Sequence, residues 1–296
     1  MAGPFFIPDL SSWEGNLPDF DAIAAAGPSY VGCIIKSSQG IGPGVSPQHG
    51  HTLAWFQDNW PRVRAAGGAR YGATWYRGCY HYATPRSSGT AQADYLLGAV
   101  ERAGGWGDGD LPPAWDLEGP EWTSRQQIVD ISSQFAERIK QKLGRAPILY
   151  TGSVWRKFGV KERAGFDALW TTHMDLMAPF GWPNERVVLH QYVGDGRYYN
   201  PSSKPAKLGY PTGVPGLGTK ADMNVVMDGG APATSIERVR EIFTGRGGDA
   251  VANADRGSSG STRTRGEISV PLVVGVGAGL LALGVLIASA SRDDLV

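Results

Sequence analysis

Short apolar runs and helix-patterned segments alternate along this chain from residue 5 to residue 226. Strand-like runs occupy 5–10, 30–36, 78–83, 114–118, 147–151, 168–172, 187–192 and 222–226. Between several of them lie segments with apolar residues three and four apart, clearest at 53–66, 91–103 and 124–143. That spacing gives a helix one apolar face. Thr90 and Ser124 are candidate N-caps, because a side-chain oxygen there satisfies an orphan N–H of the first turn. Gly104 and Gly144 are candidate stops. Parallel strands need crossover connections, so this alternation calls for a mainly parallel sheet. The expected fold is α/β, an irregular (β/α)8-type, TIM-like barrel. Long loops and poor helical patterns separate the later runs, so the irregularity is expected in the second half.

Composition sets the boundaries. The barrel domain is expected at 1–243. A stretch rich in Gly, Ser, Arg and Asp follows at 244–267 and reads as a flexible linker. A transmembrane helix is expected at 268–290, because no charged side chain interrupts 270–288 and such a run spans a hydrocarbon core as a helix. A short tail, 291–296, ends the chain. Gly275 and Gly279 would permit helix pairing, and so an oligomer through this segment. The N-terminal residues lack a basic segment followed by a long apolar one and do not read as a secretory signal. Arg256, Arg263 and Arg265 precede the apolar run, which favours a membrane-anchored protein with a cytoplasmic N-terminal part.

Lys and Arg total 28 and Asp and Glu 28, so no basic surface for a nucleic-acid partner is expected. Two cysteines exclude a disulfide scaffold or a Cys-rich zinc module. Cys33 and Cys79 fall on neighbouring strand-like runs and read as free buried thiols. His49 and His51 have no third ligand at a useful spacing, so no metal or other cofactor is expected.

Chemistry concentrates in the segment Pro112-Pro113-Ala114-Trp115-Asp116-Leu117-Glu118-Gly119. Residues two apart on a strand share a face. Asp116 and Glu118 therefore face one way, and Trp115 and Leu117 the other. Carboxylates at the C-terminal end of a barrel strand lie where barrel enzymes keep their chemistry. Two of them close together push one pKa upward, which is what a general acid beside an anionic helper needs. Asp9 ends the first strand-like run and Asp222 opens the last. Taken alone, each is equally a turn or cap residue. In a closed barrel the first and last strands are neighbours, so the two can meet. A ring of carboxylates at one mouth suits cleavage of a glycosidic bond. No basic partner is visible in these motifs.

The order DLSSWEG (9–15), IIKSSQG (34–40), GCYHYATP (78–85), AWDLEG (114–119), ILYTGSVW (148–155), LHQYVGDG (189–196) and ADMN (221–224) resembles glycoside hydrolase family 25, the Chalaropsis-type lysozymes or N-acetylmuramidases. The resemblance covers about 5–228. It implies a peptidoglycan hydrolase cleaving the β-1,4 bond between N-acetylmuramic acid and N-acetylglucosamine with retention. It implies Glu118 as general acid, Asp116 as the residue steadying charge or orienting the N-acetyl group, and Asp9 and Asp222 as the remaining acids. The nucleophile, substrate acetamido oxygen or enzyme carboxylate, stays open. Tyr80, Tyr82, Tyr150 and Tyr192 are candidate sugar-contacting aromatics, with core packing the alternative for each. His81 reads as a core or supporting residue. The stretches 61–78 and 198–220 are longer than the compact family pattern. Two other readings of the same barrel are a cell-wall-binding or virion structural module, and a hydrolase of another N-acetylhexosamine polymer.

Overall fold

The computed structural model describes residues 3–12, 18–41, 48–172, 182–194, 196–217 and 221–244. The chain divides into units Met1–Asn253 and Ala254–Val296, and every described residue belongs to the first.

Seven strands pair in parallel and in chain order: β1 (Phe6–Leu10), β2 (Gly32–Gln39), β3 (Tyr76–Tyr82), β4 (Ala114–Leu117), β5 (Ile148–Thr151), β6 (Ala168–Thr172) and β7 (Val187–Gly194). A two-residue strand, β8 (Arg197–Tyr198), turns back against β7. The next strand, β9 (Asp222–Asp228), runs antiparallel to both β7 and β1 and closes the barrel between them. A last short strand, β10 (Ala231–Pro232), pairs with β9 outside the ring.

This corrects the expected (β/α)8 arrangement. The molecule is a closed eight-strand barrel with few helices, its closing strand reversed. Helices accompany the first strands: α1 (Phe20–Ala25), α2 (Gln48–Gly67), α3 (Gly89–Arg102), α4 (Arg125–Leu143) and the single turn α5 (Ser153–Lys157). Among the described residues, the path from β6 to β7 contributes only a 3-10 turn at Asn184–Arg186, and the path from β7 to β9 only the one-turn α6 (Lys204–Lys207). The hairpin of β7 with β8 reverses the chain, and an antiparallel neighbour needs no crossover helix. Aromatic packing covers the outer face there instead. Phe6 packs edge-on against Tyr210 at 5.3 Å, and the Tyr192 hydroxyl donates to Pro211 O at 2.8 Å. The transmembrane helix expected at 268–290 lies outside the described residues. No helix among the described residues is long and apolar enough to cross a membrane.

Local signals explain the longer helices. The Ser124 side chain accepts from Gln127 N, and Gly144 ends α4 in the left-handed region at φ 69. In α3 the cap is Ser88, two residues before the expected Thr90, and it accepts from Ala91 N. Strand alternation then splits the core in two. Ile7, Ile34, Ala114, Ile148, Trp170 and Leu189 fill the barrel interior. Leu10, Cys33, Ile35, Cys79, Trp115, Leu117 and Leu149 face outward under the helices. Both cysteines are buried and free.

The end of the barrel where the parallel strands begin is shut. Helix α7 (Ile236–Thr244) places Ile236, Val239 and Phe243 in the interior cluster, with Phe243 edge-on to Tyr76 at 5.0 Å. At the start of β3, buried Arg77 pairs with Asp110 at 2.7 Å and donates to Trp60 O and Gly105 O. The opposite end is left open for chemistry.

Candidate active site

Pleating and strand direction together bring the acids to that open end. Asp9 is the last inward residue of β1, after Ile7. Asp116 follows Ala114 on the inner face of β4, and Glu118 lies one step beyond the strand. Gly119, at φ +73, turns the chain immediately afterwards. A side chain there would be strained by that backbone conformation and would have to displace Glu121 Oε2 at 2.5 Å and the Tyr82 hydroxyl at 2.8 Å. Asp222 is the first residue of β9 and lies at the mouth because β9 runs downward from it, directly opposite Asp9 in register.

A pocket of about 50 Å³ opens here, lined by Asp9, Tyr80, Asp116, Glu118, Tyr150, Trp170, Gln191 and Asp222. All four sequence-predicted acids therefore line one pit. Of the four tyrosines singled out from the sequence, Tyr80 and Tyr150 line it. Tyr82 stands beside it, its ring 4.8 Å from the Lys36 ammonium. Tyr192 is placed elsewhere: one residue past inward-facing Gln191, it points outward and packs against Phe6 and Tyr210. His81 is fully buried and outward-facing, its ring stacked on Trp115 and its nitrogens bonded to Ser38 Oγ at 2.8 Å and Gln92 Oε1 at 3.0 Å. His49 and His51 have no described side chains, and no group of three His, Cys, Asp or Glu among the described residues could hold a metal ion.

The acids differ in surroundings. Asp116 is buried, and its Oδ1 has no hydrogen-bond partner among the described residues. Burial, then the charge of Glu118, pushes its carboxyl well above the ordinary value, and Lys36 opposes them. Glu118 stands at the rim with solvent on one side. Desolvation by the protein on the other side raises its pKa, Lys36 opposes this, and the charge of Asp222 adds to it. Asp9 Oδ2 accepts from Asn224 Nδ2 at 2.8 Å, and Asp222 Oδ2 from Gln191 Nε2 at 2.6 Å.

Sequence reasoning passed over several of these residues. Lys36 is 5% exposed and electrostatically linked to both Asp116 and Glu118, so the site does hold a basic group. Its signal was present, since it lies two residues after inward-facing Ile34. Trp170, Gln191 and Asn224 were also missed. Tyr199, in the long stretch after β7, reaches the same acids: the charges of Asp222 and Asp9 help burial raise its pKa. A Cβ at Gly194 would lie 2.4 Å from its hydroxyl, so the glycine makes room for that ring.

Carboxylates of unequal proton affinity gathered at one mouth of a barrel, with aromatic walls, are the apparatus of a glycoside hydrolase. Comparison with known proteins agrees. The profile of glycosyl hydrolases family 25 matches residues 8–200. The N,O-diacetylmuramidase of Arthroderma benhamiae is 31% identical over 211 residues, which cover 65% of this chain and 80% of that protein. The bacterial lysozyme from Streptomyces coelicolor shares the fold, with a TM-score of 0.58 and 24% identity over 82% of this chain and 98% of that one. So does the muramidase from Trichobolus zukalii, with a TM-score of 0.56 and 22% identity over 81% and 99%. The chain belongs to glycosyl hydrolases family 25, and is an enzyme of the lysozyme type.

Proposed function

We propose that this enzyme hydrolyses peptidoglycan at the β-1,4 bond between N-acetylmuramic acid and N-acetylglucosamine, with net retention and Glu118 as general acid. The observation that carries this reading is the pairing of Glu118 with Asp116. The first is a solvent-reachable carboxyl with a raised pKa, and the second is buried with an unpartnered Oδ1.

Glu118 donates its proton to the leaving glycosidic oxygen. The acetamido oxygen of the substrate attacks the anomeric carbon from the opposite face, an internal nucleophile at high effective concentration. Asp116 Oδ1 accepts the acetamido N–H and offsets the positive charge of the resulting oxazolinium ion. Water then opens that ion, giving its proton to Glu118, and the two inversions leave the configuration retained. A pocket of about 50 Å³ suits one acetamido-sized substituent, with the sugar ring at the mouth against Tyr80.

Replacing Glu118 with Gln removes the proton donor at nearly constant volume. Release of muropeptides from purified cell walls is expected to fall about 10²–10⁴-fold. Unchanged release would take Glu118 out of the acid role. Mass analysis of the products reports the bond: new reducing ends on N-acetylmuramic acid support the reading. Preferential cleavage of chitin oligomers, or wall binding with no fall in turbidity, would replace it.

A further inference from the structure

Two uncharged side chains stand between the aromatic wall and the acids. The Trp170 indole N–H can only donate, and it donates to Asn224 Oδ1 at 2.7 Å. That fixes the amide, so Asn224 Nδ2 faces the other way and donates to Ile7 O at 2.9 Å and Asp9 Oδ2 at 2.8 Å. Gln191 repeats the pattern. The Tyr150 hydroxyl donates to Gln191 Oε1 at 2.6 Å, and Gln191 Nε2 points at Asp222 Oδ2 at 2.6 Å and Asp9 Oδ2 at 3.5 Å.

An amide held this way offers only N–H groups to the acids. It stabilises a carboxylate and cannot accept from a protonated carboxyl. Asp9 and Asp222 lie opposite each other on antiparallel strands, and an amide nitrogen between them offsets the repulsion of two negative charges. Asp116 Oδ1 receives no such donor among the described residues.

We propose that Gln191, oriented by Tyr150, and Asn224, oriented by Trp170, are positioning residues of the hydrolytic reaction. Their amide N–H groups hold Asp9 and Asp222 as an ionised pair, so the proton the reaction needs resides on the Glu118 side of the pit. This rests on the acid role of Glu118 given above. Among the described residues, the charged and titratable groups gathered around the pair are Lys36 from β2, Tyr80 and Tyr82 from β3, Asp116 and Glu118 from β4, Tyr150 from β5 and Tyr199 from the segment after β8.

The test uses the full chain with Gln191→Leu and the isosteric Gln191→Glu. Carboxyl-carbon NMR titration without substrate, assigned with Asp9→Asn and Asp222→Asn, reads the proton directly. In the unaltered chain Asp9 and Asp222 are expected to titrate below Asp116 and Glu118. In Gln191→Leu at least one of the pair is expected to move up by about one pH unit. With purified cell walls, the acid limb of kcat/KM should move up by a similar amount. There kcat should fall about tenfold, with KM little changed. Gln191→Glu keeps the volume and replaces the donor with a carboxyl, so it should shift the limb at least as far. Unmoved titrations in Gln191→Leu, or lost activity with an unmoved limb, would overturn the proposal. A wall-inactive unaltered chain would overturn the muramidase reading instead, and the substrate-free titration would still decide the role of the amide.

Discussion

Lys36 shows how much one side chain can set. It is the inward residue two positions past Ile34, and its ammonium lies over the Tyr82 ring, which supplies favourable electrostatics in a desolvated place. From there it lowers the proton affinity of Asp116 and Glu118, against the burial that raises both. Removing the charge therefore lets Glu118 keep its proton to higher pH. In Lys36→Met the alkaline limb of kcat/KM is expected to move up by about one pH unit. A downward shift, or none, in a pH series on purified walls would show that the ammonium does not face these acids. The same residue was legible in the motif IIKSSQG but carried no weight there, because nothing local reveals which neighbours a strand will face.

At the scale of elements, each end of a strand has its own task. The start of β3 is locked by Arg77, whose Nε and Nη2 both reach Asp110 at 2.7 Å and whose guanidinium lies 3.7 Å from the Trp60 ring centre. Tyr71 and Gly107 N complete the acceptor side of Asp110. Breaking one half of a buried pair leaves the other charge uncompensated. Asp110→Ala is expected to destabilise the fold by about 3–5 kcal/mol, measured by urea denaturation. A loss under 1 kcal/mol would mean that water or a rearranged loop solvates Arg77. The far end of β3 is braced differently. Gln92 Nε2 donates to Thr84 O at 2.9 Å, which turns Gln92 Oε1 toward His81 Nε2 and makes that nitrogen the donor. His81 Nδ1 is hydrogen-bonded to the Ser38 hydroxyl at 2.8 Å, so one imidazole ties β2, β3 and α3 together.

For the whole molecule, the site has a cost in stability. The Asp116 carboxyl has a folded pKa above its unfolded value of about 3.9, so the native state binds that proton more tightly. Its favourable contribution is complete below the unfolded value and is lost as pH rises through the folded one. At pH 7 the native chain instead bears the cost of a proton or a charge in the wrong place. Asp116→Asn removes that cost. The variant is expected to melt higher than the unaltered chain at pH 7, by about 2–4 °C for each kcal/mol relieved, and to lose wall hydrolysis. The advantage should vanish near pH 3, where the carboxyl is protonated in both states. Calorimetry at the two pH values checks the sign. A variant less stable at pH 7 would show that Asp116 is held by partners beyond its environment of charges.

Local chemistry alone placed the eight strands of the barrel, because short apolar runs are written in neighbouring positions, whereas the short β8 and β10 left no such run. It determined the face shared by Asp116 and Glu118, and the start and stop of α4 at Ser124 and Gly144. Long-range pairing decided the rest. Asp9 lies near the end of its strand and Asp222 begins one, so an all-parallel barrel would put them at opposite ends. They meet because the hairpin of β7 with β8 reverses the chain and β9 enters from the mouth. Tyr192 and Gln191 are adjacent in sequence, yet one covers the outer wall and the other bonds Asp222, since barrel closure fixes which face is inside. Carboxylates are ordinary residues until desolvation and opposed charges act on them, and both depend on strands distant in sequence arriving within a few ångströms of one another.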